Sequence, residues 1–406
     1  MGKAGEPVAA PYFGRGFSNP LETSYGYPEG ITLVDFASPH MKPYIDPHWA
    51  EYPPVNPMWH YVLGIIYVIL LIFAITGNGL VVYLFSVHRP IRTPSNFLVV
   101  NLALSDFVML LTNCPVFIFN CFNGGHWSFS IMNCHIYAAL GAVTGFCSIW
   151  TLTCISLDRY NVICTGFSGP RLTKGKAALM SIFCWCMSTG IAAAPFFGWG
   201  GYGPEGILTS CSFDYLSQDS ETRSYNLFLF LFDYCVPLLI IIWSYVFIVR
   251  AIWAHEATMR AQAAKMNVKS LRTSESNEQK TEIRIAKTAI FNIALWIICW
   301  TPYAAITMQG CFGFFSHLSP LATTLPALLA KSASCYNPFV YAIGHPRFRQ
   351  AMTVHMPWFC VKEEAKDSAG EDNTSNATSV QDVPPPQEER TSQHKSPEGC
   401  IPAQRT

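Results

Sequence analysis

The chain has 406 residues, 50% of them hydrophobic, 14% aromatic and only 13% charged, and its mean hydropathy is positive at +0.24. Soluble domains carry roughly 25% charged residues, so this composition excludes an ordinary water-soluble domain and points to a polytopic membrane protein. Basic and acidic residues balance at 26 each, which supplies no electrostatic footprint for nucleic acid.

Residues 1–58 are polar and rich in proline and aromatic residues. They lack a charged start followed by an apolar core, so the expectation is an N-terminal segment without a cleavable signal, the first span acting as its own insertion signal. Apolar stretches long enough to cross about 30 Å of hydrocarbon begin near Trp59, Asn96, Ile131, Ala177, Tyr225, Ile283 and Leu318. The fold expected is an all-α membrane protein, a seven-transmembrane helix bundle over 59–344. A short amphipathic cytoplasmic helix is expected at 345–360. The tail, 361–406, has the acidic, Ser/Thr/Pro-rich composition of a disordered segment.

Basic residues collect in alternate loops, represented by Arg89 and Arg92, Lys174 and Lys176, Arg260 and Lys265, and Arg347 and Arg349. Those loops are cytoplasmic by the positive-inside rule, which places the N-terminus outside. Most of the 15 cysteines fall within spans or at their cytoplasmic ends. Cys134, opening the third span, and Cys211, in the long loop before the fifth, both lie on the oxidising face, where a bridge between them is sensible. Cys360 follows a short basic segment and is a candidate for acylation. The sequons at Asn373 and Asn376 both fall in the cytoplasmic tail, and the N-terminal segment has none.

The residue that asks most for an explanation is Lys331, inside the apolar stretch from Ala322 to Ser332. An ammonium at the bilayer centre costs at least about 2.5 to 3.5 kcal/mol, so an intramembrane lysine marks function by default. A snorkelling lysine needs a helix end nearby, and Lys331 is near mid-span. A desolvated amine loses its proton readily and condenses with an aldehyde to a Schiff base. Asn337-Pro338-Phe339-Val340-Tyr341 follows within two turns.

The third span ends in Asp158-Arg159-Tyr160, and Glu282 lies where the sixth begins. Arg159 is placed to pair with Asp158 and, across the bundle, with Glu282, a contact suited to a two-state element. Asn78, Asp106 and Asn337 are polar groups in apolar helices, which implies hydrogen bonds between helices. Pro302 offers a kink in the sixth span. That helix presents Trp296, Trp300 and Tyr303 at i, i+4 and i+7, while the third presents Tyr137, Gly141 and Gly145 at i, i+4 and i+8. Rings on one wall and missing side chains on the other leave a slot for a flat, conjugated ligand. A buried Schiff-base cation needs a carboxylate, and Glu205, Asp214 and Asp233 all remain open for that role. No catalytic constellation and no metal-ligand spacing stands out.

On these motifs the chain resembles the rhodopsin family of G-protein-coupled receptors, and within it the visual opsins of arthropod compound eyes, crustacean ones above all. The motifs are Gly77-Asn78, Leu102-Ala103-Leu104-Ser105-Asp106, Asp158-Arg159-Tyr160, Trp185, Pro237 with Tyr245, Cys299-Trp300-Thr301-Pro302-Tyr303, and Lys331 with Asn337-Pro338 and Tyr341. The resemblance implies 11-cis-retinal, or its 3-hydroxy form, on Lys331, with Trp300 sensing isomerisation and Cys134–Cys211 as the extracellular disulfide. It implies Glu205, six positions before Cys211, as counterion, since Tyr137 stands where vertebrate visual opsins place a glutamate. It implies a bistable pigment, and Asn113, where ultraviolet arthropod opsins carry lysine, implies visible absorption.

The third cytoplasmic loop and the start of the sixth helix are similar to those of Gq-coupled opsins. Serines and threonines of the tail then become receptor-kinase and arrestin sites, among them Ser368, Thr374, Ser375, Thr378, Ser379, Thr391, Ser392 and Ser396. The location implied is the microvillar plasma membrane of rhabdomeric photoreceptors, among membrane lipids. A retinal photoisomerase and a light-independent chemosensory receptor are the competing readings. An intact Asp158-Arg159-Tyr160 with a basic third loop disfavours the first, and Lys331 the second.

Overall fold

The computed structural model describes residues 27–28, 30–165, 171–265, 277–344 and 346–356, without the side chains of 263, 277–282, 317, 341–344 and 346. Its helices are α1 (Met58–Val87), α2 (Pro94–Phe122), α3 (Ile131–Tyr160), α4 (Lys174–Ala193), α5 (Ser220–Leu229), α6 (Val236–Lys265), α7 (Asn277–Cys311), α8 (Pro320–Gly344) and α9 (Pro346–His355). The wide-turned stretch Phe230–Cys235 joins α5 to α6 as one fifth span, so α7 and α8 are the sixth and seventh. Six spans among the described residues are long and apolar enough to cross a bilayer. The seventh is α8, which carries Lys331 and two internal prolines, Pro326 and Pro338.

Local chemistry sets where these helices begin. Thr93, Ser130, Thr173 and Asp219 each accept a hydrogen bond from the backbone N–H three residues on, satisfying a donor the first turn leaves orphaned. The Asp219 cap explains why the fifth span starts at Ser220, ahead of the apolar run near Tyr225. Six residues that precede the apolar run at Ile283 are likewise helical, so α7 starts at Asn277.

Burial separates centre from rim. In the third span 61% of the apolar window is buried, against 28% in the first, fourth and sixth, so α3 is the axis of the bundle. Ile65, Ile69, Ile72 and Phe73 on α1, and Leu179, Ile182 and Phe183 on α4, are exposed. Lipid tails are as apolar as these side chains and give no reason to hide them.

The extracellular end is closed by two irregular pieces. The antiparallel strands β1 (Tyr202–Glu205) and β2 (Ser210–Phe213) form a hairpin, with Pro204 opposite Cys211 and Glu205 opposite Ser210. Cys211 is disulfide-bonded to Cys134 at the start of α3, which pins the hairpin over the bundle. Short 3-10 turns within 33–51 then fold across it, burying Met41 and Trp49. His48 Nε2 bonds to the Leu318 carbonyl at 2.8 Å, and Ser38 Oγ donates to the Trp127 carbonyl at 3.3 Å, fastening this strap to two different loops. Residues 33–51 of the N-terminal segment are therefore folded onto the bundle, which their mixed composition did not announce. At the other end α9 buries Phe348, Ala351 and Met352 beneath itself. Cys360 and the tail phosphorylation candidates lie outside the described residues.

Candidate functional site

Lys331 projects from α8 into a cavity of about 500 Å³ whose wall includes Asn113, Gly141, Gly145, Trp300 and Tyr303. The two glycines carve this space. A Cβ on Gly145 would stand 3.2 Å from the Trp300 ring, and one on Gly141 would stand 3.3 Å from Asn113 Oδ1. A second chamber of about 580 Å³ adjoins it, sharing Gly145, Phe146, Phe213, Trp300 and Tyr303 and adding Trp296, Tyr234 and Asp233. Trp296 and Trp300 stack at 5.5 Å between centroids, and Tyr303 stands edge-on to Trp300 at 6.4 Å. The two chambers share a wall of rings between the amine and Asp233.

Tyr137 lies elsewhere than on this wall. It is buried in the cluster of Met41, Trp127, Tyr202 and Cys211 above the cavity, its ring edge-to-face with Trp127 at 5.3 Å. Helical spacing aligned it with Gly141 and Gly145, and its hydroxyl lies within electrostatic reach of Glu205 and Tyr303, at the Glu205 end of the site.

The three acids divide by what already holds them. Asp214 Oδ1 accepts from the backbone N–H of Leu216 and of Ser217, at 3.1 and 2.9 Å, and so serves as a turn cap. Asp233 Oδ1 accepts from Trp150 Nε1 at 2.9 Å within the wide turn of the fifth span, while its buried Oδ2 has no hydrogen-bond partner among the described residues. Glu205 is 3% exposed, and neither of its oxygens has a hydrogen-bond partner among the described residues. Burial pushes its carboxyl up to about 7, against the pull of the Lys331 ammonium and of the Tyr215 and Tyr303 hydroxyls. Those phenols face it without closing bonds of normal geometry, and the Tyr215 and Tyr137 hydroxyls have no hydrogen-bond partner among the described residues. A buried carboxylate without donors is costly unless a cation compensates it; the cation that faces Glu205 is Lys331.

The hairpin turn is built to bring Glu205 there. Gly206 adopts φ +60°, and a Cβ on it would stand 2.2 Å from Thr324 Oγ1. Only glycine passes that close to α8 in a left-handed turn. Ile207 N–H then donates to Thr324 Oγ1 at 3.2 Å, two helical turns from Lys331, and Asn120 Nδ2 holds the Thr209 carbonyl at 3.0 Å.

Deeper in the bundle Asp106 accepts from Ser148 Oγ at 2.8 Å, Ser334 Oγ at 3.0 Å and Asn337 Nδ2. Asn78 Nδ2 donates to the Ser334 carbonyl at 3.0 Å, so four helices meet at one polar junction. The two serines escaped sequence reading; short polar side chains facing an acid across helices were the available signal. Pro338 packs on Gly77, where a Cβ would stand 2.9 Å from its ring. At the cytoplasmic end a cavity of about 710 Å³ is lined by Asp158, Arg159, Asn292 and Arg347. Arg159 pairs with Asp158 and donates to Ser95 Oγ at 2.7 Å. Tyr160 packs on Trp243 at 4.7 Å, and Tyr245 is buried with its hydroxyl unpartnered. The side chains of Glu282 and Tyr341 lie outside the description.

Residues 77–341 match the family model described as 7 transmembrane receptor (rhodopsin family). The chain belongs to the rhodopsin family of seven-transmembrane receptors. Two compound eye opsins of Hemigrapsus sanguineus are 60% and 59% identical to it, covering 88% and 87% of this chain and 95% and 94% of theirs. A rhodopsin of Sphodromantis sp. is 44% identical over 86% of this chain and 92% of its own. The crystal structure of squid rhodopsin matches with a TM-score of 0.74 at 37% identity, covering 82% of this receptor and 95% of that chain. Within the family the receptor is an arthropod rhabdomeric visual opsin.

Proposed function

We propose that this opsin is a visible-light pigment that binds 11-cis-retinal, or the 3-hydroxy form, at Lys331 and passes its activation to a Gq-class G protein. The observation that carries the proposal is an intramembrane amine that lines a ring-walled cavity and faces a buried carboxylate, whose oxygens close no hydrogen bond of normal geometry among the described residues. Retinal, joined to the lysine as a Schiff base, supplies the light absorption and the change of shape. The residues fit such a group: rings wall the adjoining chambers, glycines open them, and Glu205 faces the amine.

The remaining roles belong to the chain's own side chains. Glu205 balances the charge held at Lys331 Nζ from the loop side. Because this carboxylate sits on the pinned hairpin rather than on α3, its place persists when helices shift, which supports a bistable pigment. Trp300, held between Gly145 and Trp296, takes the steric push and hands it to α7. The Asp106 junction couples α2, α3 and α8, and release of Arg159 from Asp158 and Ser95 opens the cytoplasmic cavity to the G protein. The domain limits proposed are an extracellular segment to residue 58, the bundle to 344, a cytoplasmic helix to 360 and a tail that recruits kinase and arrestin. The receptor is assigned to the microvillar plasma membrane of photoreceptor cells.

The test is a difference spectrum of the full chain expressed with 11-cis-retinal, dark against illuminated, beside Lys331→Ala. A visible band that light shifts reversibly, absent from the variant, is expected. A band that survives in Lys331→Ala, or no band in either protein, would overturn the proposal.

A further inference from the structure

His88 closes α1 at its cytoplasmic end, and His355 is the last residue of α9, 267 positions later. The fold sets them face to face. His88 Nδ1 lies 3.1 Å from His355 Nε2, and the rings meet edge-on with centroids 5.2 Å apart. The burial of Phe348, Ala351 and Met352 under α9 holds the arrangement in place. Both rings are part-exposed, and neither belongs to the light-sensing cavity or the Arg159 cavity.

We propose that His88 and His355 form a two-histidine site for a transition-metal ion of the Zn²⁺ or Cu²⁺ class, which clamps α9 to the end of the first span. Imidazole nitrogens bind such ions at about 2.0–2.1 Å. Two of these bonds meeting at an angle between square and tetrahedral put the nitrogens about 2.9–3.4 Å apart. The observed 3.1 Å falls within that bite. In the metal-free pair one N–H lies between the rings. On binding, that proton moves through solvent to the donor ring's remote nitrogen, so each ring stays neutral and offers a lone pair to the ion. A rotation on the order of 40° at each ring turns the lone pairs from the line between the nitrogens toward one shared point, and water completes the coordination on the exposed side.

Imidazole ligands select zinc and copper over magnesium and calcium, which prefer oxygen. Arg89 adjoins His88 in sequence and opposes a cation. Arg92 is turned away, donating to the Phe85 carbonyl at 2.9 Å and to that of Ser86. At physiological ionic strength such exposed charges are screened over about 8 Å. Residue spacing does not announce the site, because metal-ligand spacing is sought within short windows and these two residues are joined only by the fold.

The experiment titrates Cu²⁺ into the purified full-length receptor in detergent and reads electron paramagnetic resonance. The native chain should show a bound ion with coupling to two nitrogens. His88→Ala and His355→Ala should each weaken its affinity by about tenfold or more, while His126→Ala in an extracellular loop should leave it unchanged. His355→Gln keeps a hydrogen-bonding partner for His88 and should lose the metal all the same. Zn²⁺ should slow amide hydrogen exchange within 346–355 in the native chain and not in His355→Gln. A two-nitrogen signal that persists in both alanine variants, a native receptor that takes up no Cu²⁺, or exchange indifferent to Zn²⁺ would each overturn the proposal. None of these readouts depends on chromophore binding.

Discussion

Glu205 and Asp106 are both buried carboxylates, and their surroundings are opposite. Asp106 sits in mid-bundle with donors from Ser148, Ser334 and Asn337. Glu205 hangs from the extracellular hairpin, faced by the Tyr215 and Tyr303 hydroxyls, with neither oxygen closing a hydrogen bond of normal geometry among the described residues. The first is a finished junction whose donors come from within the chain. The second is an unfinished one, and the difference separates a structural coupling from a place where something else is to bind. Burial alone marks both; the count of donors tells them apart.

The largest effect expected comes from the tether that makes the unfinished site possible. The Cys134–Cys211 bond closes a loop of 77 residues, and removing such a bridge typically costs about 2–5 kcal/mol. Cys211→Ser should lower both the thermal midpoint of the receptor and its yield of pigment, while a variant of an isolated thiol such as Cys186→Ser should do neither. Next comes the finished junction. Asp106→Ala strands three donors and should cost about 1–3 kcal/mol, most of which Asp106→Asn should recover, as chemical denaturation in detergent would record. Equal losses in the two variants would mean that the hydrogen bonds are not what Asp106 supplies.

The slot itself is sharpened by Gly145→Leu. Its Cβ alone would crowd Trp300 at 3.2 Å, and overpacking of about 1–3 kcal/mol corresponds to roughly a tenfold loss of retinal uptake or more. Unchanged pigment yield would place the chromophore elsewhere. Glu205 adds a pH dependence to the chromophore-free receptor. Its carboxyl, near 4.5 when solvated, stands at about 7 in the fold, so the native state binds the extra proton between those values. This group's contribution to stability is therefore full below about pH 4.5 and declines as pH rises through about 7. Glu205→Gln should flatten that slope, read from thermal midpoints across the range. The smallest effect is Thr324→Val, which takes the acceptor from the buried Ile207 N–H and should cost about 1 kcal/mol.

Much of this was legible in the residues. Seven apolar runs gave the spans to within a few positions, because lipid forces long helices whose hydrophobic length is hard to hide. The seventh helix was legible through Lys331 and Pro338 even though they break its apolar run. What composition could not convey was contact between distant segments. Residues 33–51 read as polar filler, yet Met41 and Trp49 bury against loops from the other side of the bundle. Tyr137 shares a helical face with Gly141 and Gly145, but its packing against Met41, Trp127 and Tyr202 comes from segments far away in the chain. Residue chemistry left Glu205, Asp214 and Asp233 equal as counterions, because the donors that occupy Asp214 and Asp233 come from a turn and from Trp150. Helix spacing predicts which side chains share a face; it does not say what else has been laid over that face.

The most direct test of the account is the absorbance spectrum of Glu205→Gln regenerated with 11-cis-retinal at neutral pH. If the orphaned carboxylate balances the charge at Lys331, removing it should let that site lose its proton and move the band from the visible to the near ultraviolet, with return toward the visible on acidification or added halide. A visible band that stays where the native pigment has it, and ignores both, would contradict the central claim.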